Sequence, residues 1–218
     1  MSSSHIKLFF AEVMGTFILV VFATGSIVIA AQYDKTLGVP FIALLHFVGL
    51  AIAVYAFLKI SMAHLNPAVT IGFLITKHMP KNQIWTYFTA EIIGAILGSV
   101  FVKYIIGTQG DLGTNLPNYN FSIPVIFGAE ILATGLLMGV ILIVVHKKGL
   151  RGFSGAAIGG IVTLDVIFFA GVSGASMNPA RSLAPALISN IIGDLWLYWT
   201  APFIGAIIVA FVYKFITK

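Results

Sequence analysis

The sequence predicts an all-α membrane protein with six transmembrane helices, two re-entrant half-helices and an inverted internal repeat. Two observations support this fold class. Hydrophobic residues make up 59% of the 218 residues and charged residues 9%, whereas a soluble domain carries roughly 25% charged residues. The tripeptide Asn-Pro-Ala also occurs twice, at residues 66–68 and 178–180, in corresponding places of two halves of the chain.

Six apolar stretches are long enough to cross a lipid bilayer, which takes about 20 helical residues. They are residues 8–32, 39–58, 83–106, 122–146, 153–171 and 195–215. The first stretch is longer than the core of a signal peptide, which has roughly 7–15 residues. We therefore expect it to remain in the protein as the first span.

Two further apolar segments are too short to cross. Residues 67–76 and 179–188 number ten each, and a helix of that length extends about 15 Å at 1.5 Å per residue. The hydrocarbon core of a bilayer is about 30 Å thick. Each segment can enter the membrane but cannot leave it on the far side, so we predict two half-helices.

Lysine and arginine residues favour one side of the predicted bilayer. With the N-terminus in the cytoplasm, nine of them lie inside and three outside. The nine are Lys7, Lys59, Lys77, Lys81, Lys147, Lys148, Arg151, Lys214 and Lys218, and the three are Lys35, Lys103 and Arg181. Because cytoplasmic loops carry an excess of these residues, we predict cytoplasmic N- and C-termini. The first half-helix then enters from the cytoplasmic side and the second from the outer side.

Three markers recur in the same order, 111 to 118 residues apart. Besides Asn-Pro-Ala, they are Ala-Glu with a Thr four residues after the Glu, at 11–16 and 129–134, and Trp-x-Tyr, at 85–87 and 196–198. The chain therefore contains a duplication of roughly 110 residues.

Each copy holds three spans, so the second copy begins on the opposite side of the membrane and the repeats are inverted. We predict a single membrane channel domain over residues 1–218, with repeat 1 at about 8–106 and repeat 2 at about 122–216. Inverted repeats with interrupted helices place their functional site near the midplane.

The duplicated motif has a clear physical meaning. Its residues are Asn66, Pro67 and Ala68 in the first half and Asn178, Pro179 and Ala180 in the second. Asn favours the N-cap of a helix and Pro its first turn, so each motif begins a half-helix. Because the two segments enter from opposite faces, their positive N-terminal ends meet near the centre. Two Asn amides can act as donors there, and the positive ends repel cations and hydronium, which predicts a pore for neutral solutes.

Other classes of protein are less favoured. The chain has no cysteine, which excludes disulfides and thiolate metal sites. A secondary transporter shares inverted repeats and broken helices but needs ionisable groups at its centre, where this chain offers amides; it stays the alternative from another class. The spans hold no catalytic pair or metal-ligand spacing, so we expect no enzyme, metal or cofactor. No basic patch indicates nucleic acid.

These motifs resemble the aquaporin (major intrinsic protein) family over nearly the whole chain. The matching segments are residues 11–16, 61–70, 129–134 and 173–182. The resemblance implies six tilted helices with two half-helices, one pore per subunit and a homotetramer in the lipid bilayer of the cell membrane. The partners it implies are water and small neutral solutes.

The resemblance also implies that four side chains form a narrow outer constriction. They are His46, Val166, Ala175 and Arg181. A charged side chain near lipid is expensive, so the arginine should face a water-filled cavity. The position of the histidine rests on an ungapped count from Asn66, and two alternatives stay open. It is a core histidine bonded to its own helix, or Leu45 or Phe47 faces the lumen instead.

Further polar side chains receive roles from the same resemblance. His64 is expected to line the pore beside the first motif. Glu12 and Glu130 are expected to be buried and to accept hydrogen bonds from backbone N–H groups of the re-entrant loops. Glu91 stands where the family commonly has Gln and should hydrogen-bond across helices. Asp165 should face protein rather than lipid.

The markers for the conducted solute divide. Val166 and Ala175, with the arginine, look like the nodulin-like branch, whose members often pass glycerol or metalloid hydroxides, while His46 matches neither that branch nor water-selective members. Ser182, Ala186 and the pair 198–199 look like the water type. We predict a passive channel for water and small uncharged solutes that excludes protons and ions. The alternative is a glycerol or metalloid-hydroxide facilitator with weak water flux.

Overall fold

The computed structural model describes residues 3–34 and 36–217, without the side chains of Ser3, Ser4, His146 and Lys148. Lys35 and Lys218, which entered the charge count, lie outside the described residues. The helices are α1 (Ser3–Gln32), α2 (Gly38–Ser61), α3 (Pro67–Ile75), α4 (Ile84–Phe101), α5 (Ile123–His146), α6 (Ser154–Ser173), α7 (Pro179–Ser189), α8 (Leu195–Tyr198) and α9 (Ala201–Ile216). A π-helical turn, Val102–Ile106, extends α4.

The predicted fold class is confirmed. Six helical segments of the described chain are long and apolar enough to cross a membrane, and α3 and α7 are the two short helices at 67–75 and 179–189. Most boundaries differ from the predicted ones by a few residues. The sixth span differs more, because it breaks between α8 and α9. Pro202 lies at the start of α9, and a proline removes one helical hydrogen bond and clashes with the carbonyl four residues before it, here that of Tyr198.

The two halves pack by the same scheme. In the first half α1 contacts α2 and α4, and in the second half α5 contacts α6 and α9. The halves are joined by α2 against α6, and each half-helix packs on the last span of the other half, α3 on α9 and α7 on α4. The short helices are therefore held between the repeats, at the centre of the molecule.

Two equivalent glycines permit the closest helix contacts. A Cβ on Gly94 of α4 would lie 2.4 Å from the carbonyl oxygen of Val13 in α1. A Cβ on Gly205 of α9 would lie 2.3 Å from that of Ile131 in α5. Small residues let helix backbones approach within a bilayer, and here the same crossing occurs once in each repeat.

Candidate functional site

Each Asn-Pro-Ala motif caps a half-helix as the sequence predicts. The side-chain oxygen of Asn66 accepts from the N–H of Ala68 at 2.9 Å. That of Asn178 accepts from Ala180 at 3.0 Å and from Arg181 at 3.3 Å. A proline follows each cap at the first helical position, where its missing N–H costs nothing.

The two caps also bind each other's loops. The amide nitrogen of Asn66 donates to the carbonyl oxygen of Met177 at 2.8 Å, and that of Asn178 donates to the carbonyl of Leu65 at 2.7 Å. The N-termini of α3 and α7 therefore meet at the centre of the chain. Each side-chain amide has two N–H donors, and the bond to the opposite loop uses one of them.

The loops before the caps are strained. Three residues of each loop lie in the left-handed region, where each non-glycine residue costs about 1–3 kcal/mol. They are Met62 (φ 66°), Ala63 (φ 49°) and Leu65 (φ 54°) in the first loop, and Gly174 (φ 83°), Ala175 (φ 44°) and Met177 (φ 55°) in the second. Such a conformation persists only when neighbouring groups hold it.

In the first half, Glu12 holds the loop from α1. One carboxylate oxygen accepts from Ser61 Oγ at 2.5 Å and from the N–H of His64 at 3.0 Å. The other accepts from the N–H of Leu65 at 2.7 Å. The side chain is fully buried, so three donors that water cannot reach are satisfied by one group.

In the second half, Glu130 makes the same three bonds from α5. One oxygen accepts from Ser173 Oγ at 2.8 Å and from the N–H of Ser176 at 2.9 Å. The other accepts from the N–H of Met177 at 2.9 Å. The two carboxylates thus occupy equivalent places in the inverted repeats.

A tyrosine completes each framework, and the sequence interpretation missed this role. Tyr87 donates to the carbonyl oxygen of Ser61 at 2.6 Å, and Tyr198 donates to that of Ser173 at 2.6 Å. Both tyrosines belong to the duplicated Trp-x-Tyr marker. Their recurrence was visible in the sequence, but it gave no indication that the hydroxyls reach the re-entrant loops.

A narrow cavity runs beside the two motifs. The space in it that water can enter is about 40 Å³, and since one water needs roughly 10–15 Å³, the cavity accommodates a short file of water molecules. Its wall is mostly apolar, and its polar side chains include His46, His64, Asn66, Asn178 and Arg181.

The four constriction residues divide between two positions. His46 and Arg181 line this cavity, whereas Val166 and Ala175 are buried and are not part of its wall, to which Val162 and Ser176 contribute. The structure therefore brings two of the four together on this cavity.

His46 combines the lumenal position with the bond to its own helix that the first alternative describes. Its Nδ1 lies 2.8 Å from the carbonyl oxygen of Ile42, one helical turn earlier, and the ring also lines the cavity. The neighbouring Phe47 instead packs against α6, where a Cβ on Gly159 would lie 3.0 Å from its ring.

Arg181 is held by the loop that joins the repeats. Its Nη1 donates to the carbonyl oxygen of Gly113 at 3.2 Å and to Oδ1 of Asn115. The same Oδ1 accepts from Ser182 Oγ at 2.7 Å, and the amide of Asn115 donates to the carbonyl of Gly174 at 2.7 Å. Asn115 therefore links the arginine, α7 and the strained loop. Its role was not predicted, because only the polarity of the segment 107–121 was visible.

On the other side of the centre, His64 is the first member of a buried chain of polar groups. Its Nδ1 lies 2.9 Å from Thr70 Oγ1, and Thr70 donates to Oε1 of Glu91 at 2.7 Å. The imidazole stacks on Tyr87 with ring centroids 3.8 Å apart. Glu91 thus hydrogen-bonds across helices, and Asp165 is buried in protein.

Six membrane spans, two half-helices that meet by their N-termini, and a narrow cavity beside them define a passive membrane channel. The chain belongs to the major intrinsic protein family, whose sequence pattern matches residues 1–213. The predicted family is therefore confirmed, and with it the prediction of a channel for water and small solutes rather than an enzyme.

Relatives from plants and bacteria match most of the chain. Aquaporin NIP3-1 of Arabidopsis thaliana is 37% identical over 97% of this chain and 68% of its own length. Nodulin-26 of Glycine max is 36% identical over 94% and 76%. Glycerol uptake facilitator protein-like 6 of Lactiplantibacillus plantarum is 37% identical over 93% and 94%. The solved aquaglyceroporin from Plasmodium falciparum shares the fold, with a TM-score of 0.84, 24% identity and 96% of each chain covered.

Proposed function

We propose that the protein conducts water and small uncharged solutes passively and excludes protons and ions. The observation that carries this proposal is the reciprocal bonding of the two caps, Asn66 to Met177 and Asn178 to Leu65. It supports a pore whose centre lies between the N-termini of α3 and α7. Pro67, Ala68, Pro179 and Ala180 serve by beginning those helices.

The proton barrier follows from the chemistry of that centre. Each helix N-terminus carries roughly half a positive charge, and each Asn amide retains one N–H for the lumen. A water molecule at this point offers its oxygen to the donors, so the oxygen cannot take a proton from the next water. The positive ends also raise the energy of any cation there, and Arg181 adds a fixed charge on the outer side.

The constriction in this proposal consists of His46, Val166, Ala175 and Arg181. Support comes from the cavity, which the histidine and the arginine line together. Val166 and Ala175 lie outside the wall of this cavity, so their place in the constriction rests on the resemblance, and there their small apolar side chains would leave the lumen wide. We therefore propose that solutes larger than water pass.

These two small residues favour a second candidate within the family, a facilitator of glycerol or metalloid hydroxides with weak water flux. A glycerol uptake facilitator-like protein and several nodulin-like aquaporins are among the relatives, which supports this candidate. The water channel and the facilitator differ only in the ratio of water flux to solute flux.

The remaining parts of the proposal concern support and assembly. Glu12 and Glu130 act structurally by holding the loops, and His64 lines the cytoplasmic half of the pore. The excess of lysine and arginine in the loops assigned to the inside supports cytoplasmic termini in a cell membrane. We also propose that residues 1–218 act as one channel domain and that four copies assemble, each with its own pore.

Stopped-flow shrinkage of liposomes holding the purified protein tests the proposal. Under a sucrose gradient we expect water flux well above that of empty liposomes, and under a glycerol gradient a glycerol flux above background. Val166→His, which narrows the constriction, should remove glycerol flux and keep water flux. Fast glycerol flux with water flux at background would favour the facilitator. Conductance that needs an ion gradient would contradict a passive channel.

A further inference from the structure

We propose that Glu91, acting through Thr70, is a positioning residue that fixes the tautomer of His64. The fixed tautomer leaves the second ring nitrogen of His64 as a hydrogen-bond acceptor beside the pore. This inference deepens the proposed function and rests on it for its consequence, but the tautomer itself can be measured without any flux.

The direction of the hydrogen bonds begins at Glu91. Its Oε1 accepts from Thr70 Oγ1 at 2.7 Å, and its other oxygen, Oε2, is buried without a hydrogen-bond partner among the described residues. Oε1 accepts this hydrogen when the carboxyl group is ionised and when its proton lies on Oε2, whereas a proton on Oε1 would reverse the bond. In the structure Thr70 Oγ1 is the donor and Oε1 the acceptor, so we assign the single hydroxyl proton of Thr70 to Glu91.

The same proton cannot serve a second acceptor. With its hydrogen directed to Glu91, Thr70 Oγ1 can only accept from its other neighbour, Nδ1 of His64 at 2.9 Å. Nδ1 must then carry the ring hydrogen. In a neutral imidazole one nitrogen is a donor and the other an acceptor, so Nε2 is left without a hydrogen.

The environment of the ring holds this arrangement in place. The imidazole stacks on Tyr87 at 3.8 Å and contacts Phe73 at 4.5 Å between ring centroids. Nε2 has no hydrogen-bond partner among the described residues, and the ring lines the cavity together with Asn66. Nε2 is itself buried but belongs to a ring on the cavity wall, so in this proposal its hydrogen-bond partner is a solute in the lumen.

An acceptor at this place has a consequence for conduction. Three other polar side chains on the cavity, those of Asn66, Asn178 and Arg181, present donors. A water that accepts from the amide of Asn66 can donate to His64 at the same time, so its hydrogens point away from the centre. The relay from Glu91 thus favours the water orientation that blocks proton transfer.

The tautomer is tested by nitrogen-15 NMR of the histidine ring in bilayers, with the His64 signals assigned by their loss in His64→Gln. In the unmodified protein we expect a protonated Nδ1 and an unprotonated Nε2. Thr70→Val removes the relay and should shift hydrogen to Nε2, which neutral imidazole favours in water. Thr70→Ser, which keeps the hydroxyl, should restore the original signals. A protonated Nε2 in the unmodified protein, or no change in Thr70→Val, would overturn the proposal.

Glu91→Leu tests the first member of the relay. Leucine has no acceptor for the hydroxyl hydrogen of Thr70, so that hydrogen is free to be donated to Nδ1 of His64. The relay then reverses, and we expect signal from a protonated Nε2 to appear. Unchanged ring signals in this variant would exclude Glu91 from the positioning role.

The functional consequence is tested by water flux into liposomes. We expect Thr70→Val and Glu91→Leu to lower water permeability about fivefold, the size expected for one net hydrogen bond. Thr70→Ser should conduct as the unmodified protein does. Thr134→Val is the matched control, because Thr134 is also buried but donates to a carbonyl of its own helix. Unchanged flux with a switched tautomer would overturn the role in conduction. Absence of flux in the unmodified protein would instead contradict the proposed function, while the NMR signals still decide the relay.

Discussion

The two halves of the chain build their re-entrant loops with the same hydrogen bonds but attach them to different neighbours. In each half a carboxylate accepts two backbone N–H groups and a serine hydroxyl, and a tyrosine donates to the carbonyl of that serine. Both loops require these hydrogen bonds because each places strained backbone at membrane depth. Unsatisfied polar groups are costly there.

The halves differ at the residues that face the lumen or stand behind it. His64 in the first half corresponds to Ser176 in the second, and Val69 corresponds to Arg181, each 112 positions later. In both halves the hydroxyl group four residues after the motif asparagine, on Thr70 or Ser182, donates to a side chain outside its own half-helix. Thr70 donates to Glu91 on a membrane helix, while Ser182 donates to Asn115 on the loop that joins the repeats.

This difference shows how a duplicated scaffold acquires an asymmetric pore. The loop framework is constrained by backbone satisfaction and stays equal, whereas the residues next to it are free to diverge. The first half carries an imidazole backed by a carboxyl group, and the second half carries a guanidinium backed by a loop amide. The variants below either break the shared framework or exchange the divergent residues.

The largest effect is expected from Glu12→Leu and Glu130→Leu. Each change leaves three buried donors unsatisfied, at about 1–3 kcal/mol each, and a protein of this kind is stable by only about 5–15 kcal/mol. We expect both variants to yield little folded protein, measured by size-exclusion chromatography in detergent and by liposome flux.

If the two loops are held equivalently, Glu12→Leu and Glu130→Leu should lose similar amounts of folded protein. Gln at either position keeps the size and one acceptor oxygen, so Glu12→Gln and Glu130→Gln should show a smaller, matched loss. Full stability in one leucine variant and collapse in the other would show that the two frameworks are not equivalent.

The next largest effect concerns the asymmetric pair itself. Arg181→Val gives the second half the residue that the first half has at position 69. A unit charge repels another by about 2 kcal/mol at roughly 8 Å and an effective dielectric constant of about 20, so we expect sodium leakage through liposomes to rise more than tenfold. Val69→Ala, which changes size but not charge, should leave sodium leakage at background. Equal leakage in both variants would remove the arginine from the ion barrier.

A smaller effect is expected from the residue behind the arginine. Asn115→Ala removes the acceptor that Arg181 Nη1 and Ser182 Oγ share, which should destabilise the protein by about 1–3 kcal/mol. Thermal unfolding in detergent measures the loss. Asn118→Ala is the matched control, because that amide bonds Gly171 from an exposed part of the same loop. If Asn118→Ala lost as much stability as Asn115→Ala, the stability would depend on the loop as a whole rather than on the hydrogen bonds of Asn115.

Much of this architecture could be predicted from the sequence, because its causes are local. Span length, half-helix length and the Asn-Pro caps follow from hydrophobicity and N-cap chemistry, and the inversion follows from an odd number of spans. The break before α9 was not predicted, although Pro202 was visible, because a proline near one end of an apolar stretch can also begin a helix.

The partners of the site residues were harder to predict, because they depend on tertiary contacts between distant segments. The roles of Tyr87, Tyr198 and Asn115 require the folded position of loops that lie 25 to 66 residues away in sequence. Glu91 was noticed as unusual, yet its link to His64 appears only when α3 and α4 are placed together. Expectations for Glu12 and Glu130 came from a resemblance rather than from spacing.

The smallest effect is expected at the rim of the second half, where Tyr119 donates a hydrogen bond to Asp194. Tyr119 is exposed and Asp194 is half-buried at the molecular surface, and surface interactions of this kind contribute little because water competes for the same groups. We expect Tyr119→Phe to change the unfolding temperature only slightly at neutral pH. Tyr33→Phe, at another exposed tyrosine, is the matched control.

The pH dependence gives this small effect a sign. The hydrogen bond to Asp194 raises the pKa of Tyr119, and desolvation and the charge of Asp194 add to the rise. A raised pKa in the folded state means that the contribution is complete below the unfolded pKa, about 10. It is then lost as the pH increases through the folded pKa. The unmodified protein and Tyr119→Phe should therefore differ at pH 8 and converge well above pH 10. A difference that grows with increasing pH would show that the phenol does not donate to Asp194.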